Sequence, residues 1–119
     1  MTKWYSLTNI NSSAEGKLSA SVEVKPDSPW FSGHFPGNPI LPGIAQLALV
    51  FEAIQQGAPD DLRISSVRRV RFKQIVKPDD RLEITVQSIS KNPFSYSFRI
   101  MLKDEVACSG MMIVNRLEK

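Results

Sequence analysis

The chain has 119 residues, of which 42% are hydrophobic and 23% charged, and this balance is typical of a single globular domain over residues 1–119. The formal net charge of +3 is too small to indicate a nucleic-acid-binding surface. One cysteine, Cys108, and one histidine, His34, exclude an internal disulfide and a cysteine-rich zinc site. No apolar run is long enough for a transmembrane helix, and the first residues lack an apolar signal-peptide core, so we expect a cytoplasmic protein without membrane contact.

The first part of the chain is predicted to hold one strand and one long loop. Residues 1–16 are polar after Trp4 and Tyr5 and end in a turn-rich stretch. Apolar and polar residues then alternate from Leu18 to Val24, which predicts a strand with one buried face. The segment from Pro26 to Pro42 contains five prolines and cannot form long regular structure. Loops of this length are often functional.

A helix is predicted from Gly43 to Gln56. This segment is apolar on nearly all sides, which is typical of a helix that is buried all round. Pro42 precedes its first turn and Gly57 follows its end, which is the usual placement of these two residue types. Four strands follow in the second half, where short turns separate alternating apolar patterns.

One strand, a buried helix and four further strands predict an α+β protein with an antiparallel sheet of five or six strands around one helix. This is the hotdog arrangement. A free sheet edge and the surplus apolar surface of the helix predict a dimer or a higher oligomer.

The loop before the helix carries the only histidine within a run of prolines and glycines. This segment resembles the active-site motif of the 3-hydroxyacyl-(acyl carrier protein) dehydratases, His-Phe-Pro-Gly-x-Pro-x-x-Pro-Gly, followed by the central hotdog helix. The family's later segment, an aromatic residue and then Val-x-Pro-Gly-Asp-x-Leu, is echoed from Phe72 to Leu82, with Asp79 in place of the glycine. The continuation Gly-Ile-Ala-Gln-Leu resembles dehydratase-like proteins of polyene lipid gene clusters. The residues that match the active-site motif are His34, Phe35, Pro36, Gly37, Pro39, Pro42 and Gly43.

The resemblance implies the elimination of water from a (3R)-hydroxyacyl thioester carried on acyl carrier protein, or on coenzyme A, without a metal or an organic cofactor. His34 would act as the base on the carbon beside the thioester carbonyl, and the amide of Gly43 would hold the carbonyl oxygen. A histidine suits this role because its ordinary pKa lies near operating pH. The resemblance further implies a set of substrate-contacting residues, namely Phe35, Pro36, Gly37, Pro42, Ile44 and Ala48.

The sequence departs from the family at the acid that protonates the leaving hydroxyl. In the family this acid is a Glu or Asp on the helix of the other subunit, and its position here is Ala48, which carries no side-chain proton. Glu52, one turn later, occupies the place of a family glutamine and is the candidate replacement. An acid from a second dehydratase in a mixed dimer is the other candidate. Equally, Glu52 fits a helix-end carboxylate that reaches solvent or pairs with an arginine.

Several alternatives stay open at this point. Arg69, Arg71 and Lys73 belong to a basic run that is either a solvated strand face or a docking surface for acidic carrier proteins. Gln46 either faces the site or, as is commoner for a helix glutamine, is solvated or at an interface, and Cys108 is expected to be buried and inert. A catalytically silent acyl-binding subunit and a hotdog thioesterase are the two alternative functions.

Overall fold

We analysed a computed structural model that describes residues 5–12, 16–24, 41–58, 60–77, 80–91 and 94–117. Its elements are β1 (Tyr5–Ser12), β2 (Lys17–Val24), α1 (Gly43–Gln56), β3 (Leu62–Phe72), β4 (Arg81–Lys91), β5 (Phe94–Leu102) and β6 (Glu105–Arg116). The predicted bounds of the helix are confirmed, and the predicted strand before the long loop and the four predicted strands of the second half are present. In the described part of the chain no helix is long and apolar enough to cross a membrane.

The strands form one six-stranded sheet in the order β1-β2-β4-β5-β6-β3. All neighbouring strands in this sheet are antiparallel, as predicted. The last three strands of the chain, β4, β5 and β6, are neighbours in the sheet in the same order. Short connections favour the antiparallel pairing of strands that follow one another in the chain. The two edges of the sheet are therefore β1 and β3.

The reading of residues 1–16 as a polar segment without a strand was wrong, because β1 pairs with β2 from Tyr5 opposite Val24 to Ser12 opposite Leu18. The pairing is interrupted by an irregularity between Thr8 and Asn11. An edge strand buries little side-chain surface, so its sequence needs no apolar alternation. Leu7 alone among its described side chains packs against the core.

The core lies between one face of α1 and one face of the sheet. The alternating residues of β2 and β5 that predicted strands supply much of it, since Val22, Phe98 and Ile100 are buried. The helix contributes every third or fourth residue, as expected for one buried face. Its buried residues are Ala45, Gln46, Leu49, Val50, Ala53 and Ile54.

The opposite face of α1 is uncovered in the single chain, which corrects the expectation of a helix buried all round. Ile44 is 80% exposed, and Ala48, one turn later, is also exposed. One chain has only one sheet to cover the helix, so the second apolar face needs another surface to bury it.

Candidate active site

The N-terminus of α1 is fixed by backbone hydrogen bonds on both sides of Pro42. The amide of Leu41 donates to the carbonyl of Val76 at 2.8 Å, and both side chains are buried. The amides of Ala45 and Gln46 donate to the carbonyl of Pro42 at 3.1 and 3.2 Å. The start of the helix is thereby joined to the connection between β3 and β4.

That connection is itself anchored to the sheet. The amide of Lys73 donates to the carbonyl of Ala107 at 2.8 Å. The side-chain amide of Gln74 donates to Glu105 Oε2 at 2.8 Å. The residues after β3 are therefore held beside the first turn of α1, in the part of the sequence that echoes the family's second segment.

An open pocket of about 380 Å³ lies between the first turn of α1 and the residues at the end of β3. Phe72 and Ile75 contribute large apolar side chains that are 51% and 56% exposed, and Lys73 contributes an exposed cation. The ring of Phe72 lies directly against Gly43, since a Cβ there would come within 2.6 Å of Phe72 Cζ. The first amides of a helix have no carbonyl within the helix to bind, and the helix dipole favours negative charge beside them.

Gln46 lies in the wall of this pocket and is only 3% exposed, so the expectation of a solvated or interface residue was wrong. Its Nε2 lies 3.4 Å from the carbonyl oxygen of Leu41, a long hydrogen bond. Its Oε1 is buried without a hydrogen-bond donor among the residues that the structure describes. No local signal in the sequence places this residue, because the helix is apolar on nearly all sides and several of them could pack on the sheet.

Ala48 and Glu52 lie one turn apart on the side of α1 that faces away from the sheet. Ala48 is exposed, and Glu52 is half-buried. Glu52 Oε1 accepts a hydrogen bond of 3.2 Å from Gln56 Nε2, so its carboxylate is held along the helix surface. The structure therefore brings the two positions onto one face, as their spacing predicts.

His34, Phe35, Pro36 and Gly37 lie outside the described residues, and their positions stay predictions. Pro42 is half-buried at the start of the helix, where its extended backbone leads into the first turn.

The three predicted docking cations are all exposed. Arg69 and Arg71 lie on the edge strand β3, and Lys73 follows its end. The pairing of β3 with β6 is irregular between Arg68 and Arg71, and Arg69 has a positive φ of 55°. A bulge of this kind, together with edge charges, disfavours indiscriminate strand pairing.

Two further features lie away from this pocket. A cavity of about 220 Å³ lies at the other end of α1, beside Gly57, Phe94 and Tyr96. Burial raises the pKa of the Tyr96 hydroxyl. Cys108 is fully buried, as predicted, and burial raises the pKa of its thiol to about 11.

Comparison with known proteins agrees with this arrangement. Residues 10–111 match the family model of ApeI-like proteins, described as ApeI dehydratase. The chain is 32% identical to the 3-hydroxyacyl-(acyl-carrier-protein) dehydratase FabZ of Chloroflexus aggregans, over 76% of this chain and 69% of that protein. It is 34% identical to the FabZ protein of Caldicellulosiruptor bescii, over 83% of this chain and 78% of that protein.

Among solved structures, the dehydratase heterocomplex ApeI:P from Xenorhabdus doucetiae matches with a TM-score of 0.80 and 27% identity. The match covers 92% of this chain and 96% of that chain. The predicted hotdog fold is confirmed by this likeness and by the sheet order. Both the family model and these relatives are dehydratases, so they favour the dehydratase interpretation over the thioesterase alternative.

Proposed function

Since the chain belongs to the ApeI-like dehydratase family, we propose that it converts a (3R)-hydroxyacyl thioester on acyl carrier protein into the trans-2-enoyl thioester. The observation that carries this proposal is the position of Gly43, the first residue of α1, beside an open pocket. The family motif puts the thioester carbonyl at this residue, and a helix N-terminus stabilises the negative charge that develops on its oxygen.

The proposed reaction has three linked steps. His34 removes a proton from C2 of the substrate, and the electron pair left on C2 is stabilised by the thioester carbonyl, whose oxygen accepts a hydrogen bond from the Gly43 amide. The C2–C3 double bond forms as the C3–O bond breaks. The departing hydroxide takes a proton from an acid and leaves as water, so no redox partner is needed.

The acid is the unusual part of this site, because Ala48 has no side-chain proton to donate. Glu52 lies one turn, or about 5.4 Å, further along the same face. Its carboxyl would reach the substrate hydroxyl through one bridging water. Alternatively, a different dehydratase packed on the uncovered face of α1 would supply its own Glu or Asp.

A second candidate function follows from that uncovered face. The ApeI:P structure is a heterocomplex of dehydratases, and Ile44 and Ala48 are exposed in the present chain. In this alternative the chain is a catalytically weak subunit that completes its site by pairing with an active dehydratase. A homodimer would cover the same face but would place Ala48 in both sites.

The exposed cations on β3 fit a carrier-protein docking surface. Carrier proteins are acidic, and a cationic edge beside the pocket would raise the association rate by charge attraction. Arg69, Arg71 and Lys73 are proposed as the docking residues.

The experiment is incubation of the purified chain, alone and with a candidate partner dehydratase, with a 3-hydroxyacyl carrier protein. Mass spectrometry would detect the loss of one water from the acyl group. We expect weak activity alone and a rate in His34→Ala that is lower by a factor of roughly 100 to 10,000. An unchanged rate in His34→Ala would show that His34 is not the base. Release of the free hydroxy acid would favour the thioesterase alternative.

A further inference from the structure

Gln46 is a polar side chain in the inner, otherwise apolar face of α1. It is 97% buried, whereas the other buried residues of this face are alanine, leucine, valine and isoleucine. A buried amide oxygen without a donor destabilises a folded chain, because it loses its hydrogen bonds to water. An apolar residue of the same size would avoid this cost, so the placement of a glutamine here points to a function.

The orientation of the Gln46 amide is set by its neighbours. Nε2 is the atom directed to the carbonyl oxygen of Leu41, since the reverse assignment would bring two oxygens together. Oε1 is thus the atom left for a ligand, and it accepts but does not donate. Gln46 lines the pocket beside Gly43 and its Oε1 is covered in the free chain, so a ligand in that pocket would bind it with an N–H or O–H group once the amide turns toward the pocket.

The rest of the pocket indicates which ligand group this is. Its mouth offers two apolar side chains, Phe72 and Ile75, and the cationic Lys73, all exposed. A pantetheine arm carries secondary amides, an apolar dimethyl segment and a terminal phosphate. These groups match an amide acceptor, an apolar wall and a cation.

We propose that Gln46 is a substrate-positioning residue whose Oε1 accepts a hydrogen bond from the amide N–H nearest the thioester in a pantetheine arm. This inference deepens the proposed function, on which it rests for the identity of the thioester. It assigns the pocket beside Gly43 to the arm, with Phe72 and Ile75 as its apolar wall and Lys73 as the partner of the phosphate.

The test compares two thioesters of the same 3-hydroxy acid. The N-acetylcysteamine thioester has the amide, and in the S-pentyl thioester methylene groups replace it. We expect Gln46→Met to lower kcat/KM for the amide thioester roughly fivefold to tenfold, through KM, and to leave the S-pentyl thioester within about twofold. Gln87→Met is the matched control, because Gln87 lies on β4 outside this pocket and its Nε2 donates to the carbonyl of Ser88.

Binding and stability measurements make the result independent of turnover. In an NMR titration with 4′-phosphopantetheine, we expect Gln46→Met to raise Kd by a similar factor. Its unfolding temperature should stay close to that of the wild type, since the substitution removes a buried acceptor without a donor together with the long hydrogen bond from Nε2 to Leu41. If Gln46→Met raises the Kd for 4′-phosphopantetheine but neither protein dehydrates the substrate, the proposed function is refuted and the role of Gln46 in binding the arm is not. An unchanged Kd, no saturable binding, equal losses with both thioesters, or a lower unfolding temperature would overturn the role of Gln46.

Discussion

The ring of Phe72, at the end of β3, packs against the backbone of Gly43, the first residue of α1. A Cβ on residue 43 would lie 2.6 Å from Phe72 Cζ and 3.0 Å from Cε1 and Cε2. The close approach joins the two segments that the family motif separates in sequence. The close approach also explains why the helix begins with a glycine, because a side chain at residue 43 would collide with the ring. The backbone of Gly43 is helical and would not itself require a glycine.

Gly43→Ala should displace the Phe72 ring and lower dehydration activity roughly tenfold, because a small misplacement at the carbonyl site is costly. The ring is half-exposed and can rotate away, and alanine favours the helix, so the free energy of unfolding should change by about 1 kcal/mol or less. A double-mutant cycle with Phe72→Ala, measured by urea denaturation, should give a coupling of about 1 kcal/mol. Additive effects would contradict the contact.

Ala48→Glu should restore a proton donor at the family's position and raise the rate of the chain alone by a factor of roughly 100 to 10,000, if the missing acid limits the rate. The measurement is the rate of enoyl thioester formation, with Ala48→Gln as the matched control of similar size and no ionisable proton. Glu52→Gln in the wild-type background tests the other donor. Rapid turnover in the unmodified chain that persists in Glu52→Gln would show that neither position supplies the acid.

Ile44→Lys should weaken self-association or association with a partner dehydratase. The side chain is 80% exposed in the single chain, and burial of an isoleucine contributes about 2 kcal/mol, so the dissociation constant should rise at least roughly tenfold. Light scattering over a concentration series is the measurement. Ile89→Lys, which changes an exposed isoleucine on β4, is the control and should leave the dissociation constant unchanged.

The stability of the chain should fall above pH 9 in a way that depends on Cys108. Its pKa is raised from 9.0 to about 11, so the unfolded thiol ionises first and stability is lost as pH rises from about 9 to about 11. Cys108→Ala should be less stable than the wild type at pH 7, because it leaves a small cavity. The gap should narrow by up to about 2 kcal/mol at pH 11, as measured by denaturant unfolding. A constant gap would show that the native thiol titrates normally.

The sequence alone determined the fold class, the helix bounds and the motif that identifies the family. These rest on local signals: the alternation from Leu18 to Val24, the apolar run between Pro42 and Gly57, and the fixed spacing of prolines and glycines. Each signal is set by residues near one another in the chain, so it can be read without the tertiary structure. The strand β1 was not predicted from the sequence. It lies at the edge of the sheet and lacks the apolar alternation that marks a strand with one buried face.

Only the tertiary structure decided what meets at the N-terminus of α1. The contact of Phe72 with Gly43 and the hydrogen bond from Leu41 to Val76 join residues that are 29 and 35 positions apart. The exposure of Ile44 and Ala48, beside the burial of Gln46, depends on which side of the helix the sheet covers. An apolar helix offers several sides of similar hydrophobicity, and the choice among them is made by the packing of distant strands against it.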